Sequence, residues 1–87
     1  MRFSDIAQGD LDYIQLYYQA ISDRALGKVN ADIFDTLDRL RVFPHSGTPL
    51  DEVGLSRSVT HKYRYVIWHT VENDCLVVEA IFRNQNR

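Results

Sequence analysis

Only one cysteine, Cys75, stands among the 87 residues, so no internal disulfide can form. Nothing in such a chain requires an oxidising compartment. Cys75 lies in an apolar run, where cysteine behaves as a small hydrophobe, and we expect an inert thiol there. No apolar run approaches the roughly 20 residues that span a membrane. The opening Met1-Arg2-Phe3-Ser4-Asp5 lacks the apolar segment of a signal peptide. These absences predict a cytoplasmic protein. Histidine is scarce: His45, His61 and His69 have no third ligand at useful spacing, so we expect neither a metal nor another cofactor. A basic excess is also missing. The net charge is −2, which argues against a domain whose main work is neutralising phosphates, while leaving room for a local basic patch. Proline occurs twice, at Pro44 and Pro49, and both fall with Gly47 and Gly54 in one stretch, residues 44–54. That clustering predicts a loop.

What remains reads as a single domain, residues 1–87. A chain of this size buries about 60–65% of its extended-chain surface. Its apolar fraction of 45% is too high for disorder. The stretch from Arg57 to Arg83 holds two runs rich in β-branched and aromatic residues, Tyr63 to Trp68 and Cys75 to Phe82, separated by Glu72-Asn73-Asp74. Such residues suit a pleated surface, and a short break with Asn and Asp suits an antiparallel hairpin. Neither run alternates cleanly, so we expect both faces of these strands to be largely covered. Leu55 to Lys62 adds a first strand. The result is a three-strand antiparallel meander over about 55–83, followed by a polar tail, 84–87. Arg2-Phe3 can add a very short N-terminal strand.

The cover comes from the first half. Ala7, Leu11, Ile14, Tyr18 and Ile21 recur at alternating gaps of four and three, which places them on one face of a helix running from Asp5 to about Ser22, with Ser4 or Asp5 as its cap. Asp10, Asp12, Gln15 and Gln19 mostly fall elsewhere on that wheel. Ser22-Asp23 marks a break and a fresh cap. Leu26, Val29, Ile33, Leu37 and Leu40 repeat the spacing in a second helix, where Asp35, Asp38 and Arg39 face water and which Pro44 ends. The expectation is an α+β fold: an antiparallel helix hairpin over about 5–43, packed through its apolar stripes on the sheet.

This order resembles the RelE/ParE superfamily of type II toxin–antitoxin toxins, over nearly the whole chain. The residues that carry it are Asp10-Leu11-x-x-Ile14-x-x-Tyr17, Leu40-x-x-Phe43-Pro44-x-x-Gly47, Leu55-Ser56-Arg57, Tyr65-Val66-Ile67-Trp68 and Val77-Val78-Glu79-Ala80-Ile81-Phe82-Arg83. The resemblance implies a small toxin held silent by a cognate antitoxin in a hetero-oligomer. The antitoxin's C-terminal segment would lie across helices and sheet. In the ParE branch, which we favour, the target is DNA gyrase; in the RelE branch it is mRNA in the ribosomal A site. Three departures stand out. The first strand is shorter than usual, Arg83 stands where many members carry His near the end of the last strand, and His69 follows Trp68 where many carry Tyr. The last two count against carrying a catalytic role onto these positions.

A binding toxin needs surfaces and no catalytic residues. We expect Tyr18 and Trp68 at the antitoxin contact, and Arg57, Arg83 and Arg87 at the target. The alternative, a ribosome-dependent endoribonuclease, would draw on Arg57, Arg64 and Arg83 near the scissile phosphate, with proton carriers among His61, His69, Tyr63 and Tyr65. A third reading is an inactive protein of the toxin fold that survives as a binding partner.

Overall fold

The computed structural model describes residues 1–50 and 54–83. The elements run β1 (Arg2–Phe3), α1 (Asp5–Ile21), α2 (Asp23–Val42), β2 (Thr48–Leu50), β3 (Leu55–Val59), β4 (Tyr65–Glu72) and β5 (Cys75–Arg83). The two helices meet at a single residue. Ser22 ends α1 and caps α2, its hydroxyl accepting from the Ala25 N–H at 3.0 Å. Ser4 caps α1 in the same way, accepting from Ala7 N–H. The helix hairpin expected from the apolar spacing is present, and its stripes face the sheet. Ala7, Leu11, Ile14 and Tyr18 of α1 and Val29, Ile33, Leu37 and Leu40 of α2 share one core with Tyr65, Ile67, Leu76, Val78 and Ile81. Ile21, placed on that stripe by its spacing, is instead 61% exposed at the last position of α1.

The sheet has the order β1-β5-β4-β3-β2. The meander β3-β4-β5 is antiparallel throughout, and its second hairpin turns on Asn73 (φ 51°) and Asp74 (φ 60°) between the paired Glu72 and Cys75. Two consecutive left-handed residues make a tight turn whose twist matches that of the strands, and Asn and Asp tolerate it best after glycine. Two strands extend the meander. The short N-terminal β1 pairs parallel with β5. β2 lies inside the stretch read as loop and pairs antiparallel with β3. Pro49 fits there because edge strands accept a residue with no N–H to give.

One irregularity decides what β5 presents. Trp68 pairs with Ala80 but His69 pairs with Val78, so Glu79 is an extra residue in β5. Side chains alternate faces along a strand, and one inserted residue reverses the alternation beyond it. Leu76 and Val78 face the helices before the bulge, and Ile81 and Arg83 face them after it; Ala80 and Phe82 turn to the other face.

β3 is shorter than the sequence suggests, ending at Val59 instead of near Lys62. The cause is Asp32, a buried carboxylate of α2, which accepts from the N–H groups of Lys62 at 2.8 Å and Tyr63 at 2.7 Å. Thr60 closes the same turn by accepting from Tyr65 N–H through its hydroxyl. His61 therefore sits on an exposed turn and shares no strand face with His69.

Candidate functional site

α1 is apolar on more than one side. Beside the buried stripe runs a second one: Ile6, Tyr13, Leu16, Tyr17 and Ile21, each between 55% and 73% exposed. Positions six, thirteen and seventeen recur at seven and four, so they share a face roughly 100° round the helix from Ala7, Ile14 and Tyr18. The polar residues Gln8, Asp12, Gln15 and Gln19 occupy the remainder. A contiguous exposed stripe of this kind marks a surface that another molecule covers.

The stripe borders a groove of about 450 Å³ between α1 and the end of β5, lined by Tyr13, Ile14, Tyr17 and Asp10 on one side and by Tyr65, Phe82 and Arg83 on the other. The outer edge of β5 is capped only in part here. β1 reaches Val78, the Ser4 hydroxyl donates to Glu79 C=O at 2.9 Å, and the Asp10 carboxylate accepts from Ile81 N–H at 3.0 Å. Among the described residues, no strand pairs with this edge beyond Val78. The groove floor is aromatic and buried. The Tyr65 and Tyr18 hydroxyl oxygens lie 3.5 Å apart, and the Arg83 guanidinium sits 5.6 Å from the Tyr65 ring centroid. Burial, together with the Tyr18 hydroxyl, pushes the Tyr65 phenol well above its usual range, so it stays protonated as the groove's hydrogen-bonding floor.

The residues singled out from the sequence are distributed as follows. Tyr18 is 8% exposed, its ring edge-on to Tyr17 and Tyr63; it belongs to the core, and Tyr13 and Tyr17 are the exposed tyrosines of α1. The physical reason is its place on the buried stripe. Trp68 is half-exposed on the face of the sheet away from the helices, its ring 5.1 Å from that of Phe82 at 90°. Arg57 stands opposite Trp68 on that same face. Arg83 stands opposite Tyr65, on the helix-side face. Arg57 and Arg83 thus lie on opposite sides of the sheet, and the three arginines of the nuclease alternative do not gather on one face. Arg64 occupies the β3–β4 connection with φ 62°. Arg87 lies outside the described residues.

His69 is fully buried under the helix side, its Nε2 2.9 Å from Ser58 Oγ and its Nδ1 without a hydrogen-bond partner among the described residues. Burial depresses its pKa, so it is held neutral. Cys75 is half-buried and unpaired, with its thiol 3.6 Å from Leu76 C=O. Among the described residues, no group of three or more His, Cys, Asp or Glu could hold a metal ion, and no helix is long and apolar enough to cross a membrane.

Asp32, Asp10 and the second stripe of α1 escaped the sequence reading. The stripe had a signal: α1 contains more apolar residues than one face can hold. Asp10 opens the first motif that carries the resemblance, but its partner did not show there, and Asp32 had no signal, because both bond backbone N–H groups distant in sequence.

A helix hairpin over a curled meander, with an exposed apolar helix face beside an open strand end, defines a small α+β protein of the RelE/ParE-like fold. A family model described as "ParE toxin of type II toxin-antitoxin system, parDE" matches residues 1–86. The chain belongs to that family of type II toxins. Its structure is similar to one titled "Chromosomal ParDE TA system from P. aeruginosa", with a TM-score of 0.80 and 20% sequence identity, over 97% of this chain and 94% of that one. No curated protein matches the chain.

Proposed function

We propose that this toxin acts by binding DNA gyrase and is silenced by a cognate antitoxin that lies in the α1–β5 groove. The observation that carries the second half is the exposed stripe of Tyr13, Leu16 and Tyr17 beside the end of β5, with which no strand pairs beyond Val78 among the described residues. An antitoxin segment there would gain main-chain hydrogen bonds from the strand edge and bury apolar side chains on the helix, the usual logic of strand addition. The gyrase half rests on membership of the ParE family.

Arg83 links the two. It lines the groove and is one of the residues we assign to the target, so an antitoxin that fills the groove covers it. Arg57, beside Trp68 on the helix-free face, supplies the other part of the target surface. Neutralisation would then be direct occlusion of Arg83, with no change of fold. Arg57 and Arg83 lying on opposite faces also weighs against the nuclease alternative, which needs its cations around one phosphate.

The test is gyrase with plasmid DNA and purified toxin. The toxin should inhibit supercoiling or accumulate cleaved DNA, and a stoichiometric amount of antitoxin should reverse the effect. Absence of any effect at excess toxin, with cuts inside translated codons in induced cells, would transfer the assignment to the ribosome. Absence of both, with normal growth, would mark an inactive member.

A further inference from the structure

The acidic chain carries a basic surface cavity. α2 and the β3–β4 turn border an open depression of about 560 Å³ lined by the exposed cations Arg24, Lys28, Arg39 and Lys62, with His61 beside them. These are four of the chain's ten lysines and arginines. Among the described residues, none of the four forms an ion pair; the pairs present are Arg2–Glu72 and Arg41–Asp38. Two carboxylates share the wall. Asp32 is already engaged by the backbone N–H groups of Lys62 and Tyr63. Asp35 is exposed to water. The local balance is therefore positive in a chain whose total is −2.

The floor is small. Gly27 lines the cavity, and a Cβ built on it would meet nothing within 4 Å. Its backbone is ordinary helix with no positive φ, so neither conformation nor close packing explains a residue that costs a helix about 1 kcal/mol relative to alanine. A larger side chain at this position would therefore enter the cavity between the cations without a clash. The cations themselves form a line: Arg24, Lys28 and Arg39 lie along one helix over 15 residues, about 22 Å at 1.5 Å per residue. That is longer than one phosphate needs. It suits successive phosphates, with arginine forks for their oxygens and the lysines as point charges.

We propose that this cavity binds phosphoryl groups, and that its length fits the backbone of a nucleic-acid strand. The site lies on α2 and is distinct from the α1–β5 groove, so it stands whether or not gyrase is the target.

Fluorescence anisotropy with the full chain and a labelled 20-nucleotide strand tests it. We expect a dissociation constant of roughly 1–100 μM at physiological salt, the range of sequence-independent binding. The slope of log K on log salt should be about −2 to −3, since each contact on a single strand contributes about −0.7. Gly27→Glu should weaken binding at least tenfold without loss of folding, because it adds negative charge to the cavity while raising helix propensity. Arg24→Ala with Lys28→Ala should lower the slope by about 1.4, two contacts at roughly 0.7 each. Arg2→Ala, a remote cation, should change neither. ATP binding with the same dependence on Gly27→Glu, in place of strand binding, keeps the phosphate site and assigns it to a free nucleotide. Equal binding of polyglutamate, indifference to Gly27→Glu, or no binding of strand or nucleotide overturns the proposal.

Discussion

Ser58 Oγ and His69 Nε2 lie 2.9 Å apart beneath Gly47, joining β3 to β4 on the side facing the helices. The better tautomer places the proton on Nε2, donating to the serine. The buried Nδ1 then carries only an unpaired lone pair, which costs less than an unpaired N–H. Protonation would bury a charge, which burial disfavours.

Acid sensitivity follows from this. The folded-state pKa of His69 is below its ordinary 6.5. Below pH 6.5 the unfolded chain binds a proton that the folded chain refuses, so stability falls as pH drops from there toward the lowered value. The slope is at most about 1.4 kcal/mol per pH unit for one proton. Urea midpoints at pH 7 and pH 5 should differ more for the wild-type chain than for His69→Gln. Equal differences would assign the acid response to another group.

Gly47 covers that pair with φ 100°, and a Cβ there would stand 2.7 Å from Ser58 Oγ and 2.8 Å from Arg57 C=O. The second contact is backbone and cannot swing away. Gly47→Ala should cost at least ~2 kcal/mol, from the left-handed backbone alone before the clash is counted. Thermal denaturation would register this as a fall of more than about 8 °C in Tm. A shift near zero would mean that β2 moves aside.

Asp32 holds the β3–β4 turn against α2. Two hydrogen bonds to a carboxylate are worth roughly 1.5–3 kcal/mol each, so Asp32→Ala should destabilise by about 3 kcal/mol or more. Burial raises its pKa, but the Tyr63 and Lys62 N–H groups outweigh that and leave it lowered. Its contribution is present above the unfolded carboxyl value of about 3.9 and is lost as pH falls through the folded value. The deficit of Asp32→Ala relative to wild type, measured by denaturant titration, should therefore shrink below about pH 4.

Arg64 sits at φ 62°, where a side chain with a Cβ is strained by about 1–2 kcal/mol. Glycine removes the strain and adds some chain entropy to the unfolded state. Arg64→Gly should gain about 0.5–1 kcal/mol. A loss in stability instead would reveal an interaction of the guanidinium that outweighs the strain.

On α1, Tyr13→Ser with Tyr17→Ser should leave Tm within about 8 °C, since two exposed positions contribute about 0.5 kcal/mol each. The same pair should weaken antitoxin binding at least a hundredfold, as buried aromatic anchors cost about 2 kcal/mol or more each. Calorimetric titration with the antitoxin decides this. Unchanged affinity would move the contact elsewhere, with the Trp68 face the next to examine.

The sequence by itself determined the helices, their order and the three-strand meander. Those follow from period: gaps of three and four in Ala7 to Tyr18, β-branched runs around Asn73-Asp74, and Ser and Pro at the ends. Each is a local signal, and distant residues adjusted only its ends, as Asp32 of α2 does where it stops β3 at Val59. Tertiary structure alone decided which residues share a surface. Arg83 looks toward the helices and Arg57 away from them because their partners Tyr65 and Trp68 stand three residues apart on β4, and an odd offset along a strand puts side chains on opposite faces. Lys62 joins Arg24, Lys28 and Arg39 of α2 only when Asp32 pulls the β3–β4 turn onto that helix. Tyr18 goes inward and Tyr17 outward because the sheet lies on one side of α1, which moves the exposed aromatic of this helix one residue away from where the resemblance put it.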